Sequence, residues 1–188
     1  NNCKYGHDIK DGNMRLIAVG TLKKSKGYMR LLSIIKELCD KKYSVHLYIL
    51  GTGPLQLEMK KFIRKNKLQN TVTMLGYQNN PYKYISKCDL FVCASYAEGF
   101  STATTEALIV GTPVCTVEVS GMREMLGDNE YGIITDNKDE ALYDAIERLL
   151  SDPKLLKYYK EKAIERGKMF STDITVKKVE DLFESLVE

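Results

Sequence analysis

The stretch DLFVCASYAEGFSTATTEALIVGTPVCTV, Asp89 to Val117, decides the fold. It opens on an apolar run, DLFVCAS, of strand length and composition. A loop with Glu98 and Gly99 follows, and a helix is expected to begin near Ser101. Gly111 and Pro113 then punctuate the chain before a second apolar run, PVCTV. Strand, helix, strand in so few residues is a βαβ unit, whose two strands run parallel. Within it stand two carboxylates, Glu98 and Glu106, eight positions apart.

The same alternation extends both ways. Upstream, MRLIAVG (Met14–Gly20), VHLYILG (Val45–Gly51) and VTMLG (Val72–Gly76) read as strands. Gly27–Lys42, with Leu31, Leu32, Ile35, Leu38 and Cys39 at helical spacing, and Leu55–Lys67, entered through Pro54, read as helices. Downstream come a short strand near Ile133 and three helical stretches, Asp139–Leu150, Pro153–Phe170 and Thr172–Val187. The expectation is an α/β fold: a Rossmann-like parallel sheet of about six strands with helices on both faces.

Composition excludes several classes. At 188 residues, 44% hydrophobic and 28% charged, the chain suits one globular domain with a real core. A net charge of +3 spread along the sequence gives no reason to expect nucleic acid. No apolar run approaches the roughly 18 residues of a membrane span. The five cysteines make no C-x-x-C pair and are expected to be small buried hydrophobes, and His46, in a strand pattern, is expected to be structural. Residues 1–13 are expected to be a linker or truncated start, 14–171 the Rossmann-like domain, and 172–188 a separate C-terminal helix.

Ligands of such sheets bind beyond the carboxyl ends of the strands, so the loops there are the places to search. VGTLKKSKG (Val19–Gly27) holds three lysines between a strand and a helix but fails the P-loop pattern, since Ser25 replaces the second glycine and Gly27 the hydroxyl residue. A lysine at a helix start opposes the helix dipole unless an anion sits there. In LGTGPLQ (Leu50–Gln56), Gly51 and Gly53 match two glycines of a dinucleotide fingerprint, but Gln56 replaces the third and no acidic residue ends the next strand. LGYQNNPY (Leu75–Tyr82) either lines a base pocket or only turns. In the opening stretch, the N–H groups of about Ser101 to Thr104 lack helical acceptors and suit a phosphate or sugar hydroxyl. Glu106 stands too deep to cap, among Ala103, Ala107, Leu108 and Ile109. A diol is a suitable partner for such a carboxylate, because one carboxylate accepts from two hydroxyls; a surface-facing glutamate is the alternative.

The E-x7-E of Glu98-GFSTATT-Glu106, followed by A-L-x-x-G-T-P-V, resembles glycosyltransferase family 4, of GT-B architecture. VGTLKKSKG, ILGTGPLQ, TMLGYQ, CDLFV and SGMREMLGDNEYG stand in that family's order over about Leu16–Leu150. The GFSTATTEAL variant is similar to bacterial polysaccharide-biosynthesis enzymes. The resemblance implies the C-terminal, donor-binding half of a two-domain retaining enzyme, with the acceptor site in the other half. It implies a nucleotide-sugar substrate, expected to be a UDP-sugar, and a saccharide or lipid-linked acceptor. No metal or other cofactor is expected, and there is no Asp-x-Asp. A cytoplasmic location follows, with peripheral membrane contact only through the other half.

Residue by residue, the resemblance puts the donor sugar at Glu98 and the ribose hydroxyls at Glu106. Backbone groups of Gly20, Gly51, Gly99, Phe100, Ser101, Thr102 and Ala103 come near the donor. Lys26 neutralises the diphosphate, and Tyr77 and Gln78 border the base. Lys26 and Glu98 are the expected catalytic pair, Glu98 positioning the sugar. Thr21 stands where the family commonly has arginine, leaving Lys23 or Lys24 to supply that charge. On its own such a half is expected to be inactive, and its last helix, Thr172 to Val187, often crosses to the other domain in this family. A non-catalytic sugar-nucleotide- or protein-binding module with a decayed site is the alternative; a GT-B-like epimerase lacks its usual histidines and arginines here.

Overall fold

In the computed structural model, which describes residues 13–170, six parallel strands form one sheet in the order β3-β2-β1-β4-β5-β6. The strands are β1 (Met14–Val19), β2 (Val45–Leu50), β3 (Val72–Gly76), β4 (Leu90–Cys93), β5 (Val114–Val117) and β6 (Ile133–Thr135). β4 and β5 are buried along their whole length, and so carry no polar alternation. The expected strands all form; DLFVCAS loses three residues, Asp89, Ala94 and Ser95, and no other expected run loses more than one.

Helix α1 (Tyr28–Asp40) buries the face of Leu31, Leu32, Ile34, Ile35 and Leu38. α2 (Gln56–Lys65) puts only Met59 and Ile63 fully inside. α1 packs against α2 and α6 (Asp139–Ser151). α4 (Thr102–Ile109) packs against α3 (Tyr82–Ile85) and α7 (Pro153–Lys168), so helices cover both faces. A Cβ on Gly167 would lie 2.1 Å from the Leu108 carbonyl oxygen, which is how α7 comes so close to α4. α7 begins with Pro153 behind an N-cap, Asp152, whose carboxylate accepts from Lys154 and Leu155 N–H.

Three short elements depart from the expected outline: a 3₁₀ turn at Lys24–Lys26, the four-residue α3 and the five-residue α5 (Met122–Leu126). Because the turn comes first, α1 starts at Tyr28, and Lys26 precedes the helix rather than lying in it. No described helix is long and apolar enough to cross a membrane. The expected helix at Thr172–Val187 lies outside the described residues, as does nearly all of the expected linker.

The strand order reverses between β1 and β4. From β1 the chain steps outward to β2 and β3, then returns to β4 and steps the other way. Loops leaving the carboxyl ends of β1 and β4 therefore part in opposite directions and leave a crevice, the usual ligand position in open α/β sheets.

Candidate functional site

Lys26, in the loop after β1, and Glu98, in the loop after β4, meet across this switch point. The ammonium nitrogen lies 2.7 Å from Glu98 Oε1 and 2.6 Å from Oε2. The Glu98 side chain is 7% exposed and that of Lys26 is 23% exposed. A carboxylate so far from water needs its partners. Ser95, itself buried, supplies another by donating its hydroxyl to Oε1 at 2.5 Å. The anion that the helix-dipole argument asks for near Lys26 is thus furnished by the chain itself.

Glycines bring the loops together. Gly27 has φ +66°, and a Cβ there would fall 1.8 Å from the Ala94 carbonyl oxygen at the end of β4. At Gly51, φ is +132° and a Cβ would fall 2.0 Å from the Gly20 carbonyl oxygen. Gly51 is thereby accounted for by backbone packing. The Gly20 carbonyl also accepts from the Tyr28 hydroxyl at 3.0 Å. Burial pushes that phenol well above its ordinary pKa, so it stays protonated and donates.

Helix α4 starts from this crevice. Ser101 is its N-cap; its hydroxyl accepts from Thr104 N–H at 3.4 Å and from the Thr104 hydroxyl at 2.9 Å. The expectation of open donors from Ser101 to Thr104 is corrected at Thr104, whose N–H is taken by the cap. Among the described residues, the N–H groups of Gly99, Phe100, Ser101, Thr102 and Ala103 have no acceptor. Phe100 is 59% exposed and Thr102 is exposed. Glu106 is half-buried on α4, with no ion pair or side-chain hydrogen bond to any described residue, and desolvation raises its pKa. Such a carboxylate can accept hydroxyls.

Other expected donor residues lie farther out. Thr21, Lys23 and Lys24 are exposed in the loop after β1, without an ion pair among the described residues. Tyr77 is 72% exposed after β3. The Gln78 side chain is already engaged, donating to the Leu75 carbonyl and accepting from the Tyr84 hydroxyl, each at 2.9 Å. Its amide serves the turn, which leaves its second N–H and the second lone pair of its oxygen for any base contact.

Two residues not found from the sequence stand directly behind the site. Arg30 of α1 is buried, with its guanidinium 4.0 Å from the Tyr96 ring centroid and Nη1 donating to Asn137 Oδ1 at 2.8 Å. Its Nε lies 2.8 Å from Asp139 Oδ1, close enough for charge attraction though not aligned as a hydrogen bond. Asn137, between β6 and α6, donates to the carbonyls of Ser95, Tyr96 and Glu118 at 3.2–3.3 Å. Arg30 had one legible signal: it precedes Ile34 and Leu38 by four and eight residues, on the buried face of α1. Asn137 had none.

Known proteins resemble this chain in sequence and in fold. The profile of the family described as "Glycosyl transferases group 1" matches residues 4–166. A curated relative from Campylobacter jejuni, N-acetylgalactosamine-N,N'-diacetylbacillosaminyl-diphospho-undecaprenol 4-alpha-N-acetylgalactosaminyltransferase, is 38% identical over 165 residues, 87% of this chain and 44% of its own length. Among solved structures, Staphylococcus aureus TarM, in complex with UDP among other ligands, superposes with a TM-score of 0.80 at 24% identity, covering 91% of this chain and 35% of that one. The pneumococcal O-GlcNAc transferase GtfA, solved with UDP and GlcNAc, gives 0.82 at 18% identity, covering 93% of this chain and 36% of that one. At such identities the structures speak for the fold alone, a Rossmann-like domain as found in GT-B glycosyltransferases. The chain spans less than half the length of these three. It belongs to the group 1 glycosyl transferase family.

Proposed function

We propose that this chain is the donor-binding half of a retaining glycosyltransferase, taking a nucleotide sugar, a UDP-sugar first among the candidates, for transfer to a saccharide or lipid-linked acceptor in polysaccharide biosynthesis. The observation that carries this is the convergence of Lys26, Glu98 and the open N-terminus of α4 at the strand-order reversal. The UDP in neighbouring structures and the sugar transfer named for the Campylobacter relative favour the same donor class.

The chemistry follows from charge. Cleaving the anomeric bond leaves negative charge on the nucleotide diphosphate. The N–H groups of Gly99–Ala103 and the Lys26 ammonium stabilise that charge where it develops, in the electrostatic role a metal ion fills elsewhere. Glu98 turns an oxygen to the sugar hydroxyls and positions the ring. Glu106 takes the ribose diol. Tyr77 and the backbone of Gln78 border the base. With Thr21 in place of arginine, Lys23 or Lys24 supplies the remaining charge as a point contact rather than a bidentate one. The acceptor is held by a second domain, so this half alone turns over poorly.

The test is calorimetric titration of the chain with UDP, GDP, ADP and UDP-sugars beside Glu106→Ala. Preference for one nucleotide is expected, weakened about tenfold to a hundredfold in the variant, as the loss of one hydrogen bond to a charged group requires. A chain folded by circular dichroism that binds none of them would overturn the donor role and leave a binding module with a decayed site.

A further inference from the structure

Glu98 is held from behind as well as from the front. Its neighbour across the turn, Ser95, gives its hydroxyl to Glu98 and its carbonyl to Asn137. The next residue, Tyr96, accepts from Asn137 through its carbonyl, stacks under Arg30 through its ring, and donates its N–H to the Ser25 carbonyl at 2.8 Å. Ser25 directly precedes Lys26. Arg30 also reaches the Ala94 carbonyl at 3.3 Å. The three residues from Ala94 to Tyr96 are thereby tied to α1, to the loop after β1 and to the loop before α6. The Glu118 carbonyl joins the end of β5 to the same amide.

The amide of Asn137 has one consistent orientation. Its oxygen faces a guanidinium, which only donates, and its nitrogen faces three carbonyls, which only accept. Arg30 locks that orientation, and a reversed amide would set donor against donor and acceptor against acceptors.

We propose that Asn137, locked by Arg30, is a positioning residue for the donor sugar: it fixes the loop after β4 so that Glu98 stands at the sugar hydroxyls. This rests on the donor-binding reading above. The clamp touches neither the body of α4 nor Glu106, so it acts more on the sugar's share of the affinity than on the nucleotide's, which it reaches only through Ser25 and the N–H groups of Gly99–Ser101.

Asn137→Asp is the telling change. It is nearly isosteric and keeps an oxygen acceptor for the buried Arg30, now charged, so the fold has reason to survive. It also replaces the N–H donors with a carboxylate oxygen facing three carbonyl oxygens, which frees the loop. Two readouts are taken on the same chain: hydrogen exchange of peptides covering residues 94–101, and calorimetric affinity for UDP against UDP-N-acetylglucosamine, UDP-N-acetylgalactosamine and UDP-glucose. In Asn137→Asp, exchange in that segment is expected to rise about tenfold or more with protection elsewhere retained. The extra affinity of the preferred UDP-sugar over UDP should fall about tenfold, as in Glu98→Gln, with UDP itself weakened less.

Asn137→Ser, which shortens the side chain without adding charge, is the second variant and must move the same readouts. Unchanged exchange with an unchanged sugar increment would overturn the positioning role, and so would equal losses for UDP and UDP-sugars, the mark of a merely structural residue. A wild-type chain that binds neither UDP nor any UDP-sugar would instead overturn the donor reading, and this inference with it.

Discussion

At the amino end of the sheet Arg15 closes on Asp89; at the carboxyl end Lys26 closes on Glu98. Both pairs join the flanks of β1 and β4 and both are bidentate. Arg15 Nε and Nη2 meet the two carboxylate oxygens at 2.8 and 2.6 Å, and the backbone N–H of Arg15 adds a bond at 2.9 Å. In return, Asp89 N–H donates to the Arg15 carbonyl. The surroundings differ. The lower pair is embedded in strand backbone that is already satisfied. Around the upper pair stand glycines in the left-handed region, five consecutive N–H groups without acceptors among the described residues, and a half-buried glutamate without an ion pair. An ion pair alone therefore does not mark a site. Unspent hydrogen-bonding capacity beside it does.

The largest expected effect tests whether glycine is required at the upper end. Gly27→Ala sets a methyl against the Ala94 carbonyl and forces φ +66° on a residue with a Cβ. It should lower stability by about 3 kcal/mol or more in urea unfolding. Gly99→Ala is the control. Nothing lies within 4 Å of a Cβ there, so the change should stay within about 0.5 kcal/mol. Equal losses would mean the loops are not closed on one another as described.

Next comes the pair itself. Asp89→Asn and Glu98→Gln each weaken one bidentate contact and should each cost about 1–2 kcal/mol of stability. Only Glu98→Gln should also reduce UDP-sugar binding, by about tenfold relative to UDP. If titration finds the same loss in Asp89→Asn, the two ends do not differ in function and the contrast collapses.

The six strands and the long helices were legible because each buries a continuous run or a helical stripe, and burial writes itself into hydropathy. The short α3 and α5 were not, since four or five residues are too few to show a period. At the site, Glu106 was legible as a charge out of keeping with its neighbours, and Lys26 and Glu98 as members of loops at strand ends whose roles came from the family resemblance. Their relations were not: that Lys26 lies on Glu98 depends on a 3₁₀ turn and on Gly27 passing Ala94. Gln78 reads as bordering the base, and the sequence does not show that Leu75 and Tyr84 also hold its amide. Asn137 is one polar residue in the short loop DNK between β6 and α6, and its partners lie 19 to 107 positions away.

The smallest effect is the most specific. Desolvation raises the pKa of Glu106 above its ordinary value of 4.5, and no ion pair with a described residue opposes it. An acid whose pKa is higher in the folded state binds its proton more tightly there, so it contributes least penalty when protonated in both states, below about pH 4.5. The penalty grows as pH rises from about 4.5 through the shifted value. Glu106→Gln should then stabilise the chain at pH 7 by a few tenths of a kcal/mol, because the group is only half-buried and solvent screens it. At pH 4 the two chains should unfold at the same urea concentration. The same variant should bind nucleotide more weakly at pH 7, since a neutral amide accepts less strongly from a diol. A variant that gains stability while losing ligand is what a binding carboxylate predicts. One that loses both would place Glu106 with Asp89 among the residues that only hold the fold.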